Sequence, residues 1–317
     1  MILASLTGFF QYAVDGLING SSYGLLGLSF GLIVAVTGRF HFAWAAAYAL
    51  VGFFTPWLVN HTGLPVVLAI IIAMAGAALF NCLLETLIYR NVERRAASQA
   101  LLAIFVASFG VTIAVPNLVS WIVGPESSGG ETLAWISNSP LHIGKVTFTK
   151  LDLIGVIAVW TCGVAIWALL KYTPVGRRIR AVQVNPGMAE AVGIDSNRTY
   201  LVVFVISALL GGVTAIIASM RSTGTPNMGL QPVFYAFVVA FAAGLGRSPL
   251  RIMAIGTAIG ILEGISAQVL NVQWQQVVVF AVLLIYLVFK AARAWRPHLF
   301  QLKRPATTPA AVSAGEA

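Results

Sequence analysis

Few residues in this chain have the chemistry for catalysis. The four histidines, His41, His61, His142 and His298, sit near the ends of apolar segments or in loops, and no two have the spacing that puts metal ligands on one helix face. Each reads as an interfacial or loop histidine. Cys82 and Cys162 are the only cysteines, and each lies inside an apolar segment, so a disulfide framework and a metal site are both excluded. The only Gly-Lys pair, Gly144-Lys145, is followed by Val146, which rules out a phosphate-binding P-loop. The Gly-rich run Ala243-Gly-Leu-Gly-Arg-Ser-Pro-Leu-Arg251 does not lie between a strand and a helix, and reads as a tight turn. No Ser/His/Asp set or paired carboxylates stand out. The expectation is a non-enzyme with no cofactor.

Polar groups within the apolar segments are informative in another way. Glu263 falls near the middle of a segment at about 252–270, where an unpartnered carboxylate is costly, so it must face a partner, water or a pore. Asn19, Ser21, Ser22 and Tyr23 need partners for the same reason. Glu85, close to a segment end, can reach Arg90 or Arg94 as an ion pair. Gly16, Gly20, Gly24, Gly27 and Gly31 recur every three or four residues, a small-residue ridge on one helix face that suits close packing or a pore lining.

The elements that must position these groups follow from composition. At 59% hydrophobic, 9% charged and a mean hydropathy of +0.89, the 317 residues belong in a bilayer. The predicted class is all-α: a polytopic integral membrane protein with about eight or nine transmembrane helices in one domain over residues 1–300, followed by a disordered tail at 301–317. Segments of roughly the ~20-residue bilayer length run at about 17–37, 42–59, 66–88, 100–123, 152–170, 201–220, 232–246, 252–270 and 274–289. The short, Gly-rich 232–246 is the least secure full span. The stretch before residue 17, with Asp15, reads as an interfacial lead-in. No basic residue precedes Arg39, so the N-terminus lacks the n-region of a cleaved signal peptide. Residues 124–151 read as a surface loop with a short interfacial helix around Leu133–Ile136.

Loop charge orients the chain. With 171–198 on the cytoplasmic side and spans alternating, sixteen of nineteen basic residues are cytoplasmic; only Lys145, Lys150 and Arg221 fall outside. That sets the N-terminus outside and the C-terminus inside. The loop 171–198 carries Lys171, Arg177, Arg178, Arg180 and Arg198, a concentration of charge that requires water or another protein there. Within it, Ala181 to Ile194 reads as a short helix broken near Pro186 and ended by Gly193.

Three blocks give the chain a family likeness: Asp15 to Leu32; Val175-Gly-Arg-Arg-Ile-Arg-Ala-Val-Gln-Val-Asn-Pro through Ala189 to Gly193-Ile194-Asp195; and Ala243-Gly-Leu-Gly-Arg-Ser-Pro followed by Gly256, Gly260 and Leu262-Glu263. Together they cover most of residues 12–290, and the chain resembles the LivH-type inner-membrane permeases of branched-chain amino acid ATP-binding cassette (ABC) importers. Two stretches depart from the family pattern; in the Gly-rich turn Ala243 stands for a glycine and Arg247 for a serine. Where the family has Asn-Phe-Ala-His-Gly-Glu, this chain has His41-Phe42-Ala43-Trp44-Ala45-Ala46. Relatives also carry urea, amides and other small organic solutes, so the cargo stays open.

The resemblance implies a permease subunit translocating a small polar solute, a branched-chain amino acid or a related amino acid or amide. It implies a second permease paired as a heterodimer, two cytoplasmic ATPase subunits, an extracytoplasmic solute-binding protein and membrane lipid as partners, and no nucleic acid. ATPase coupling would fall to Arg177, Arg178, Arg180, Ala181, Asn185, Ala189, Glu190, Gly193, Ile194 and Asp195. The translocation path would draw on Asn19, Tyr23, His41, Phe42, Trp44 and Glu263. Two rivals from the residues alone are an ion-coupled secondary transporter, with Glu263 the one central acid, and an intramembrane enzyme, for which no reactive cluster is visible.

Overall fold

The computed structural model describes residues 2–95, 99–124, 139–144, 146–268 and 274–289 apart from 276, 283 and 287. The tail beyond 300 and the segment Leu133–Ile136 lie outside the described residues.

Six helices are long and apolar enough to cross a membrane: Gly8–Thr37, Val66–Arg95, Ala100–Val123, Lys150–Tyr172, Ser196–Arg221 and Pro249–Ser266. With Trp44–Thr62, Leu230–Ala243 and Val277–Tyr286 they make nine apolar helices among the described residues. In chain order the elements are α1 (Ile2–Thr37), α2 (Trp44–Thr62), α3 (Val66–Leu83), α4 (Arg90–Arg95), α5 (Ala100–Val123), β1 (Pro140–Ile143), β2 (Val146–Thr149), α6 (Lys150–Tyr172), α7 (Pro174–Val184), α8 (Pro186–Ala191), α9 (Ser196–Arg221), α10 (Leu230–Ala243) and α11 (Pro249–Ser266).

Helix α1 is the hub. It packs against α6, α9, α10 and α11 and contributes to both apolar cores, one around Phe30, Trp44 and Phe204, the other around Leu25, Val239 and Met253. The glycine ridge is a helix-packing surface within the subunit. A Cβ on Gly16, Gly20 or Gly24 would run into the α11 backbone at Gly260, Thr257 or Met253, and one on Gly27 would meet Val239 of α10. Backbones approach that closely only through small residues, which in lipid substitutes packing for the missing hydrophobic drive. By contrast α3, α5 and α6 turn Ile71, Leu79, Leu102, Trp121 and Ile157 outward, as surfaces solvated by acyl chains do.

Two expectations change here. Residues before 17 are not a separate segment: α1 is unbroken from Ile2, and Asp15 accepts from Gln11 Nε2 at 3.0 Å one turn earlier. The surface loop at 124–151 contains an antiparallel hairpin, β1 against β2, turning at Gly144. The Gln11 side chain holds Thr147 by both backbone groups, its Nε2 donating to Thr147 O and Thr147 N donating to its Oε1, each at 2.8 Å. Thr149 and Asp152 then form a reciprocal cap that starts α6.

Between α3 and α4 the helix widens into a π-helical turn, Leu84–Tyr89, with the Arg90 N–H reaching Glu85 O. Glu85 and Tyr89, four residues apart, share a face of this turn, and both are buried.

Candidate functional site

Two features organise the polar side chains: a hollow at one end and a capped double helix at the other. The hollow begins on α1, where Asn19 and Tyr23 face the end of α9 and the start of α10. A cavity of about 430 Å³ lies between Asn19, Tyr23, Tyr48, Thr214, Arg221, Gln231 and Tyr235. A second, of about 620 Å³, shares Asn19, Tyr23, Gln231 and Tyr235 and extends to Asp15 and Glu263. The Tyr23 and Tyr235 rings stack at 4.2 Å, with 8° between planes, on the boundary of the two hollows.

Glu263 is in the last turn of α11 rather than mid-span, because the helix ends at Ser266. It accepts from the Tyr235 hydroxyl at 2.6 Å. At the first cavity's rim Arg221 reaches Asp152 Oδ1 at 2.8 Å and Asn19 Oδ1 at 3.3 Å, while its buried Nε has no partner among the described residues.

Asn19, Tyr23 and Glu263 therefore come together. His41, Phe42 and Trp44 do not join them, because each is consumed in the core. His41 is a buried histidine, not an interfacial one: Nδ1 meets the Tyr89 hydroxyl at 2.6 Å and Nε2 meets Asn81 Oδ1 at 3.3 Å. Phe42 joins Phe30, Phe105, Phe109 and Phe237 in an aromatic cluster. Trp44 donates Nε1–H to Ser29 Oγ at 2.7 Å, Ser29 bonds Ser207 of α9, and Gly211 leaves room for the indole. The departing stretch from His41 to Ala46 thus pins the α1–α2 connection to α9. Ser29 and Ser207 were missed by the sequence reading, since a lone serine in an apolar helix gives no signal.

At the other end the charged groups gather. Arg39 is buried, donates to Glu85 at 2.6 Å, pairs with Glu93 and lies over the Tyr200 ring at 5.1 Å. Arg90 meets Glu85 at 3.5 Å and donates to Asn197 O at 2.9 Å. The expected Glu85–Arg90 pair is present, but Arg39 is the closer partner. The 171–198 loop and the turn at 244–248 adjoin, since Gly246 abuts the Gln183 side chain. Both Gly244 and Gly246 take positive φ, as the tight-turn reading requires.

The loop itself is two helices, not one beginning at Ala181. Thr173 caps α7, with Gly176 N donating to its Oγ1 at 3.1 Å and Pro174 at the first position. The break falls at Asn185, whose Oδ1 accepts from Met188 N at 3.1 Å and caps α8, again with Pro186 first. Gly193 at φ +84° ends it, and Asp195 caps α9. Arg177, Arg178, Arg180, Asn185, Glu190, Gly193 and Asp195 are exposed; Ala181 and Ile194 are half-buried, and Ala189 is buried against the loop's own core. Sequence reasoning missed Val184, Met188 and Val192, which are 85%, 69% and 76% exposed at the tip. Their four-residue spacing was the available signal, hidden by the cap at Asn185.

Comparison with known proteins places this architecture. Residues 12–287 match the family described as the permease component of the branched-chain amino acid transport system. The chain belongs to that family. The high-affinity branched-chain amino acid permease LivH of Salmonella typhimurium is 26% identical over 310 residues, 92% of this chain and 97% of that one. BraD of Pseudomonas aeruginosa is 24% identical, with 89% and 94% covered. A solved chain of PsaBC from Streptococcus pneumoniae, in complex with Fab, shares the fold: TM-score 0.50 at 16% identity, covering 90% of this chain and 95% of that one. The permease is thus a multi-pass inner-membrane subunit of an ABC transporter and not an enzyme, which removes both rival readings. As one component of a transport system, it works with partner subunits.

Proposed function

We propose that this permease passes branched-chain amino acids inward through the hollow at Asn19, Tyr23, Tyr235 and Glu263, driven by ATPase subunits seated on α7 and α8. The observation that carries the coupling half is the exposed apolar row Val184, Met188 and Val192 on a doubly capped, Pro-started break. Apolar side chains held in water at a rigid tip favour a protein partner. Arg177, Arg178, Asn185, Glu190 and Asp195 surround that row as its polar rim, and Gly193 and Ala189 fix the angle at which it stands. ATP binding would shift the loop as a lever and rock α9, whose N-terminus it carries, so that the hollow opens and closes in turn.

The complete transporter on this reading holds a second permease in a heterodimer, two cytoplasmic ATPase subunits and an extracytoplasmic solute-binding protein. The loop end is cytoplasmic and the hairpin end faces outward, so the N-terminus is outside and the C-terminus inside. Gathering of Arg39, Arg90 and the 171–198 and 244–251 loops at one end supports that orientation. The departure at Trp44 to Ala46 affects packing rather than the hollow, which favours the family's cargo.

The test is uptake of labelled leucine into proteoliposomes carrying the full transporter. Met188→Asp is expected to abolish ATP-driven uptake while the permease stays folded, and a bulky residue at Ala189 or Gly193 to do the same. Retained uptake in all three variants would remove the coupling assignment.

A further inference from the structure

A groove of about 500 Å³ lies at the loop end of the protein, between α1, α6, α7 and the turn before α11. Its floor is apolar: Leu28 and Leu32 of α1 and Ile252 of α11, walled by Trp167 and Leu170 of α6. Its rim is basic, with Lys171, Arg180 and Arg247 drawn from three separate elements. No carboxylate lines the groove, and none of the three cations is ion-paired among the described residues. The Lys171 ammonium rests over the Trp167 and Tyr172 rings at 4.8 and 5.0 Å, which fixes it at the groove without neutralising it.

The arrangement is specific to this side of α7. Residues two apart on a helix point about 200° away from each other, so Arg180 turns to the groove while Arg178 lines a separate hollow beside Gly193 and Asp195.

Lys171, Arg180 and Arg247 give the mouth of the groove a positive charge that no carboxylate of its lining offsets, which attracts an anion. A free phosphate would supply charge but leave the apolar floor uncovered. A zwitterionic lipid would cover the floor but bring no net charge. We infer that the groove binds one anionic phospholipid, its phosphate among Lys171, Arg180 and Arg247 and an acyl chain along Leu28, Leu32 and Trp167. Because α7 forms one wall, the lipid would brace the element that carries Asn185 and α8. The groove shares Val184 with the proposed coupling row and Arg180 with the expected coupling residues, so the test reads lipid and ATPase-subunit binding separately.

Native mass spectrometry of the full permease tests this, with phosphatidylglycerol, phosphatidylcholine of the same chains, and glycerol 3-phosphate as probes. One phosphatidylglycerol should be retained in preference to phosphatidylcholine, and glycerol 3-phosphate should not displace it. The triple substitution K171Q/R180Q/R247Q should weaken retention on the order of 100-fold. The charge-matched R94Q/R95Q/R177Q should not. Both triples alter exposed side chains, and matching melting curves in phosphatidylcholine nanodiscs establish that each is folded. Equal retention of phosphatidylcholine would overturn the inference, as would displacement by glycerol 3-phosphate, which marks a phosphate site only. Unchanged phosphatidylglycerol binding in the first triple, with ATPase-subunit binding lost instead, would reassign the cations to a protein partner.

Discussion

Two buried carboxylates, Glu85 and Glu263, sit in similarly apolar helices and are treated in opposite ways. Glu85 is wholly enclosed and meets two guanidinium groups, Arg39 at 2.6 Å and Arg90 at 3.5 Å. Glu263 meets a tyrosine hydroxyl at 2.6 Å, has no cation within ion-pair reach among the described residues, and borders the larger hollow. The first is a bolt: its charge is matched, and it joins the α1–α2 connection, the π-helical turn and α4. The second keeps its polarity uncancelled where there is room for a solute. Where a membrane protein matches a buried charge it fastens helices, and where it leaves one facing space it has a use for it.

The contrast predicts its own largest effect at Glu85. Glu85→Ala leaves Arg39 buried beside a void and should cost about 3–5 kcal/mol, read as a lowered unfolding midpoint in detergent; a cost under about 1 kcal/mol would break the comparison. The double change Arg39→Met with Glu85→Leu should recover most of that loss, because it removes the buried guanidinium that Glu85→Ala leaves with Glu93 as its one carboxylate partner. Tyr235→Phe takes away the donor to Glu263 and keeps the ring stack with Tyr23, so about 1–3 kcal/mol is expected in the same assay. Asp152→Asn, at the part-exposed pair with Arg221, should cost about 1 kcal/mol or less. Glu263→Gln should be the mildest for folding, since an amide oxygen still accepts from Tyr235, yet leucine uptake should fall at least several-fold. Unchanged uptake with a large stability loss would make Glu263 a second bolt.

Much of this was legible beforehand. The nine apolar helices among the described residues meet an expectation of about eight or nine from hydropathy, because lipid demands that every backbone polar group be satisfied within its own segment. The turn at Gly244 and Gly246 was legible because positive φ selects glycine, and the end of α8 at Gly193 likewise. Less legible was where elements begin. Gln11 and Asp15 depress hydropathy at the start of α1, yet they lie on a continuous helix in which Gln11 bonds both Asp15 and the hairpin. Thr173-Pro174 and Asn185-Pro186 both carry the cap-then-proline signature, so the two-helix loop was readable in principle, and only the first start was overlooked.

The candidate site divides along the same line. Asn19, Tyr23 and Glu263 were identified as polar groups in lipid needing company, and that need is a local property. What company each found was not local. His41 and Trp44 looked like path residues by position, but Tyr89, Asn81 and Ser29 reach them across 48, 40 and 15 residues of chain and close the space around them. By itself the sequence determined the bilayer, the helices, the family and the end at which positive charge collects, since each depends on segment composition or on short motifs. Tertiary structure alone decided which carboxylate is cancelled and which faces a hollow. It also brought Lys171, Arg180 and Arg247 to one groove, because those outcomes depend on which helix backbones can approach, as α1's glycines let α10 and α11 approach it.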